Sequence, residues 1–124
     1  MVKELSRPSS QNYQPHQIVC LEKACKRLYC EVIQVIPQKQ RCWVRPLLLV
    51  TIINQDRDNE ELTSYDMRQS VDLVWSLSAF RPALDTEVIP LLQRLSLSEQ
   101  GDSNPEEARQ KLRQFINQIW QKSS

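Results

Sequence analysis

The sequence predicts an α+β protein in which a curled antiparallel sheet, or a small barrel, of about four to five strands is followed by two C-terminal helices. Three observations favour this class. Residues 16–51 are rich in β-branched and aromatic side chains and contain a turn segment, PQKQ. Residues 71–77 alternate apolar and polar side chains, with Val74 as the one exception. The last third carries apolar residues at helical spacing.

Composition divides the chain into an arm, one domain and a short tail. Residues 1–15 are polar, contain two prolines and lack an apolar period, which predicts a flexible arm. The chain of 124 residues has room for one modest core, so we expect residues 16–121 to form a single α+β domain. Residues 122–124 are then a tail.

The first three strands are predicted over residues 16–22, 27–36 and 41–51, with the hairpin turn of the last two over residues 37–40. This turn sets which residues face one another. It predicts four cross-strand pairs in the hairpin: Ile36 with Arg41, Val35 with Cys42, Ile33 with Val44, and Tyr29 with Leu48. In the same way, a turn over residues 23–26 places Cys20 opposite Tyr29.

This hairpin is apolar on both faces at its open end, so other parts of the protein must pack on each of the two faces there. A curled sheet or a small SH3-like barrel provides such cover, and an OB-like barrel is the alternative. Pro46, in the middle of a strand, is consistent with a bulge or an edge.

The segment after the third strand is acidic. Residues 54–66 carry five acidic side chains and one arginine, which predicts a solvated loop. A fourth strand follows over residues 71–77, with Val71, Leu73, Trp75 and Leu77 on its core face.

Two helices are predicted next. Asp85 or Thr86 caps the first, and Pro90 lies in its first turn or kinks it. The second begins at Pro105 behind the cap residue Asn104, with Glu107 placed to reach back to the cap amide. Its apolar stripe consists of Ala108, Leu112, Phe115, Ile116, Ile119 and Trp120.

The residues that could carry chemistry are few and scattered. The four cysteines contain no CxxC pair, and the predicted pairing places Cys20 and Cys42 on one face, Cys30 on the other and Cys25 in a turn. We therefore expect no metal ion and no cofactor. His16, the only histidine, is expected at a strand edge on the surface. No acid, base and nucleophile can be placed together, so we expect no enzyme.

Composition excludes further classes. With one glycine, the chain lacks the glycine-rich phosphate loops of the common nucleotide-binding folds. No apolar run reaches membrane-spanning length and the first residues lack the apolar core of a signal peptide, so a cytoplasmic protein is expected.

A binding role is the remaining prediction. Residues 1–50 hold eight basic and three acidic residues, a net charge of +5, whereas the other 74 residues have a net charge of −4. The predicted hairpin gathers Arg41, Trp43 and Arg45 on one face, with Gln34 alongside and Lys39 at the tip. Tryptophan and arginine are enriched at protein interfaces, which favours a protein partner in an assembly or accessory role. The alternative is a small barrel that binds single-stranded nucleic acid, although a net charge of +1 is low for that class. A third interpretation is that a helix or the N-terminal arm covers Trp43.

The segments RLYCEVIQVI (residues 27–36), RCWVRPLLLV (residues 41–50) and FRPALDTEVIPLL (residues 80–92) resemble small, poorly characterised cyanobacterial proteins. The resemblance implies a location in the cytoplasm or on the cytoplasmic side of a thylakoid. It also favours an accessory role around a larger complex, and it transfers no functional residue.

Overall fold

The computed structural model describes residues 13–55, 60–97 and 104–122. Within them an antiparallel sheet of six strands is followed by two helices, which confirms the α+β class. The strands are β1 (Ile18–Lys23), β2 (Lys26–Ile36), β3 (Arg41–Gln55), β4 (Glu60–Asp66), β5 (Leu73–Ser76) and β6 (Phe80–Pro82). The helices are α1 (Asp85–Leu97) and α2 (Pro105–Lys122).

The sheet is not closed or strongly curled, so the predicted curled sheet and the SH3-like or OB-like barrel are wrong, and the described residues form six strands where about four to five were predicted. Its strand order is β4-β3-β2-β1-β6, and β5 pairs with β3. The long strand β3 pairs with β5 through residues 41–44 and with β4 through residues 48–55. The doubly apolar end of the hairpin is covered by one helix on each face, and burial on both sides therefore needs no closure.

Two bulges interrupt the pairing of β2 with β3. The predicted pairs of Ile36 with Arg41 and Tyr29 with Leu48 are confirmed, but Val44 lies opposite Val32 and not opposite Ile33. Ile33 is the extra residue on β2, and the second bulge adds Leu47 to β3 directly after Pro46. The two insertions lie on opposite strands, so the second restores the register that the first shifts.

Each face of the sheet has its own apolar cluster. The larger lies between the sheet and α2, and the smaller lies between the sheet and α1. The core residues of the α2 face include Val19, Leu21, Leu28, Cys30, Val32, Cys42, Val44, Leu49, Ala108, Leu112 and Phe115. Those of the α1 face are Cys20, Tyr29, Leu47, Leu48, Val50, Leu91 and Leu95.

Helix α1 begins at Asp85, so Leu84 is at the cap position and the predicted caps Asp85 and Thr86 are wrong. The Glu87 carboxylate accepts the Leu84 amide at 2.8 Å and so satisfies a free donor of the first turn. Pro90 is the sixth residue of the helix, beyond the first turn, where it cannot bond the carbonyl of Thr86.

Helix α2 has the predicted cap, because the Asn104 side-chain oxygen accepts the Glu106 amide at 2.8 Å. Glu107 does not reach back to the cap amide: its carboxylate accepts the Tyr65 hydroxyl at 2.9 Å, and the Asn104 amide donates to that hydroxyl at 3.3 Å. The apolar stripe packs on the sheet as predicted, and its last residue, Trp120, is 69% exposed and meets the Trp75 ring edge to face, with the ring centres 6.2 Å apart.

The acidic stretch is partly strand. Strand β3 extends beyond its predicted end through residues 52–55 and residues 60–66 form β4, whereas residues 56–59 lie outside the described part. The solvated loop predicted over residues 54–66 is therefore wrong at both of its ends. Asp66 is buried and accepts from Arg68 at 2.7 Å, which compensates its charge.

The predicted fourth strand is shorter in the structure, as β5. Leu73 and Trp75 pack against the α2-face cluster, and Leu77, in a 3₁₀ turn, is buried. Val71 precedes the strand and is half exposed, so its predicted place in the core is wrong. Of the predicted arm and tail, residues 1–12 and 123–124 lie outside the described residues. Tyr13, which belongs to the segment predicted as the arm, is buried and donates its hydroxyl to the Phe80 carbonyl at 3.1 Å.

Candidate interaction surface

The five residues predicted to bind a partner lie at the end of the sheet that carries the β2–β3 turn. Arg41, Trp43 and Arg45 alternate along β3 with the buried Cys42 and Val44, which belong to the α2 face. They therefore project from the α1 face. Gln34 lies directly opposite Trp43, and the exposed Lys39 follows in the turn.

Trp43 is half buried and fixed in place. Its indole N–H donates to the Asp72 carboxylate at 3.1 Å. On the same side lies Val74 of β5, which is its cross-strand partner and is 45% exposed. The two apolar clusters of the described residues do not include Trp43. Helix α1 covers this face through Leu91 and Leu95, which pack on the opposite end of the hairpin.

We call Gln34, Arg41, Trp43, Arg45 and Val74 the Trp43 patch. Its apolar part is the indole ring beside the valine, and its polar part is the surrounding arginines and glutamine. A half-buried aromatic ring held by a hydrogen bond loses little conformational entropy on binding, which suits an interface.

The charge of the Trp43 patch is smaller than the sequence indicates. Arg45 lies 3.9 Å from the Asp72 carboxylate and directly opposite Glu31 on β2. Within the described residues, Arg41 and Lys39 form no ion pair. Two cations therefore remain for an incoming group, and both are on the side of the turn.

Sequence reasoning missed Val74 and Asp72. Val74 was the one residue that broke the alternation of the fourth strand, because its side chain points away from the core. That break was the available signal for an exposed apolar residue. No signal placed Asp72 beside Trp43, because the pairing of β5 with β3 joins distant parts of the chain.

The cysteines do not gather. Cys20 pairs with Tyr29 in the α1-face cluster and Cys30 lies in the α2-face cluster, which confirms the predicted sides of these two. Cys42 lies in the α2-face cluster, so its predicted side is wrong, because the bulge at Ile33 shifts the register of β2 against β3. Burial raises the pKa of Cys20 to about 12 and the pKa of Cys30 well above its usual range, and it also raises that of Cys42. These thiols are protonated at neutral pH and are poor nucleophiles. Cys25 is exposed.

No group of three metal-ligating side chains occurs in residues 13–55, 60–97 and 104–122. His16 is exposed, as predicted, and its Nδ1 lies 2.7 Å from the Glu31 carboxylate.

The densest polar cluster ties α1 to the sheet. Arg81 of β6 donates to Glu87 at 2.8 Å and to Glu22 at 3.1 Å, and the Tyr29 hydroxyl donates to Glu87 at 2.9 Å. The bonds from Arg81 lower the pKa of Glu87 to about 2, and burial raises the pKa of Tyr29 to about 12. A general acid or base needs a pKa near the working pH, which neither Glu87 nor Tyr29 has. The bonds of this cluster hold α1 against the sheet.

Comparisons with protein-family models, curated proteins and solved structures returned no match for this chain. In the part of the chain that the structure describes, neither helix is long and apolar enough to cross a membrane.

Proposed function

We propose that this protein is a non-catalytic binding module that docks onto a partner protein through the Trp43 patch. The observation that supports it most is the place of Trp43: a half-buried indole, held by Asp72, between an exposed valine and two exposed arginines, on a face that α1 covers only at its other end.

The chemistry of the patch defines the partner. The indole ring and Val74 offer an apolar surface, and Arg41 and Lys39 offer cations without an ion pair in the described residues. A protein surface with an apolar side chain flanked by carboxylates complements both. An accessory role in a larger assembly, in the cytoplasm, remains part of this proposal.

Single-stranded nucleic acid is the competing ligand. Such proteins combine aromatic stacking with a groove of positive charge. Asp72 lies against both Trp43 and Arg45, and Glu31 lies opposite Arg45, so two carboxylates stand where phosphates would have to approach. These charges favour the protein partner.

Affinity capture with a matched control tests the proposal. The tagged protein is compared with the triple variant Arg41→Ala, Trp43→Ala, Arg45→Ala, in extract from the native organism. The control, Arg109→Ala, Arg113→Ala, Trp120→Ala, removes the same residue types from α2, where both arginines are exposed and Trp120 is 69% exposed at the edge of the Trp75 ring. Loss of an interface tryptophan costs about 2 kcal/mol or more, which is about 30-fold in affinity.

We expect the patch variant to lose one defined partner protein and the α2 variant to retain it. Equal recovery of every partner by the two variants would overturn the proposed surface. Recovery of nucleic acid that increasing salt removes, and that the patch variant also loses, would favour the competing ligand.

A further inference from the structure

A second feature lies on the other face of the sheet, between the open end of the β2–β3 hairpin and α2. It is a cleft of about 250 Å³. That volume is below the range of about 300–1,000 Å³ typical of sites for drug-sized ligands, so the cleft suits a small group. Its lining residues are Lys26, Leu49, Thr51, Thr63, Ser64, Tyr65, Lys111 and Gln114.

The floor of the cleft is a polar row across three strands. Lys26 lies opposite Thr51, and Thr51 lies opposite Thr63. Directly paired residues project from the same face with Cβ atoms about 4.5–5.5 Å apart, so one ammonium and two hydroxyls stand side by side. The next row on the same face, Leu28, Leu49 and Tyr65, belongs to or packs against the α2-face cluster.

A second cation, Lys111 of α2, lines the cleft from the helix side. The Lys111 ammonium of α2 lies 4.9 Å from the centre of the Tyr65 ring, where the ring attracts it. The Tyr65 hydroxyl is itself held, because it donates to Glu107 and accepts from the Asn104 amide. The Glu107 carboxylate, which is four residues before Lys111, is bonded to this hydroxyl and forms no ion pair with Lys111.

Apart from the contact of the Lys111 ammonium with the Tyr65 ring, the side-chain donors of Lys26, Thr51, Thr63 and Lys111 have no partner within the described residues. Lys26 and Lys111 form no ion pair there, and the hydroxyls of Thr51 and Thr63 form no hydrogen bond. None of the eight lining residues is acidic. Two half-buried ammonium groups and two hydroxyls with no acceptor are a donor set that an anion would complete.

We propose that this cleft binds a phosphoryl group. Its donors approach from two directions, with Lys26, Thr51 and Thr63 on the sheet below and Lys111 on the helix above. Such an arrangement suits the tetrahedral oxygens of a phosphoryl group better than the planar oxygens of a carboxylate. The site lies on the opposite face from the Trp43 patch and is independent of it.

Amide NMR of the full chain tests this inference with inorganic phosphate as the probe. The titration uses constant ionic strength, with sodium chloride as the reference. We expect saturable shifts centred on Lys26, Thr51 and Thr63, and weaker shifts with acetate. Phenyl phosphate is titrated in parallel. If it binds more tightly than inorganic phosphate, the natural ligand is a phosphate monoester, and if it binds more weakly, the natural ligand is the free phosphate ion. Either order supports the phosphoryl site.

Matched variants identify the residues. Lys26→Gln with Lys111→Gln should weaken phosphate binding about tenfold or more. Arg109→Gln with Arg113→Gln removes the same charge from the exposed side of α2, outside the cleft, and should leave it unchanged. Thr51→Val, which keeps the shape of the side chain, serves if the lysine variant does not fold, and it should also weaken binding. The inference is overturned if phosphate causes no more shift than chloride, if acetate binds more tightly, or if the cleft variants bind as well as the control.

Discussion

The cluster of Arg81, Glu87, Tyr29 and Glu22 yields a sharp prediction about stability. Glu87 is well shielded, with 16% of its side chain exposed, and it accepts from Arg81, Tyr29 and the Leu84 amide. Replacing it by glutamine keeps the shape and removes the charge. The fall of its pKa from 4.5 to about 2 corresponds to about 3 kcal/mol, at about 1.36 kcal/mol for each pKa unit.

Solvent screening reduces this value, because a third of the Arg81 side chain is exposed. We therefore expect Glu87→Gln to lower the free energy of unfolding by about 2 kcal/mol at pH 7. The pKa of Glu87 is lower in the folded chain than in the unfolded chain. The stabilisation is thus complete above about pH 5 and is lost as the pH falls from 4.5 towards 2.

The assay is urea unfolding of both proteins at pH 7, 5, 4, 3 and 2, followed by circular dichroism. The control is Asp85→Asn in the first turn of the same helix, which should cost about 0.3–1 kcal/mol through the helix dipole. A difference between wild type and Glu87→Gln that stays constant from pH 7 to pH 2, or that does not exceed the control, would refute the reasoning.

Three further predictions concern stability and reactivity. Ala24 has φ 55° in the two-residue turn between β1 and β2, where glycine is preferred, so Ala24→Gly should raise the free energy of unfolding by about 1 kcal/mol in urea titrations; a loss would contradict this. Phe115 is fully buried on the α2 face, and Phe115→Ala should cost about 3–5 kcal/mol in the same assay, whereas Asn117→Ala on the exposed side should change little. A thiol reagent at neutral pH should label Cys25 in the folded protein, and the other cysteines only on unfolding; early labelling at more than one site would contradict the burial of Cys20, Cys30 and Cys42.

Local patterns predicted much of this fold. Strands β1 to β3 and helix α2 follow from strong periodicity and from the cap Asn104, all of which are signals within a few residues. The α1 prediction was right in kind and wrong at its start, because Glu87 supplies the first-turn acceptor in place of a cap side chain.

Closure of the sheet could not be predicted, because it depends on contacts between distant segments. Apolar residues on both faces of a hairpin fit a barrel and a sheet covered by two helices equally well. Strand β4 was missed because its acidic residues are typical of a solvated loop. The segment forms a strand because it pairs with the distant strand β3. The bulge at Ile33 has no sequence signal of its own, and it moved Cys42 to the other face.

The candidate surface was predictable only in part. Alternation along β3 and a short turn placed Arg41, Trp43 and Arg45 together with Gln34 opposite Trp43. The carboxylates of Asp72 and Glu31 reduce the charge of this surface. Their positions could not be predicted, because they depend on strand pairings between separate segments.

The most direct measurement of the proposed binding role is photo-crosslinking from within the Trp43 patch. A benzophenone amino acid replaces Val74, which is exposed beside Trp43, and in a second protein it replaces Arg113 on the exposed face of α2. We predict a covalent adduct to one defined protein from position 74, which Trp43→Ala abolishes, and no such adduct from position 113. The same set of adducts from both positions, unchanged by Trp43→Ala, would contradict the proposed interface.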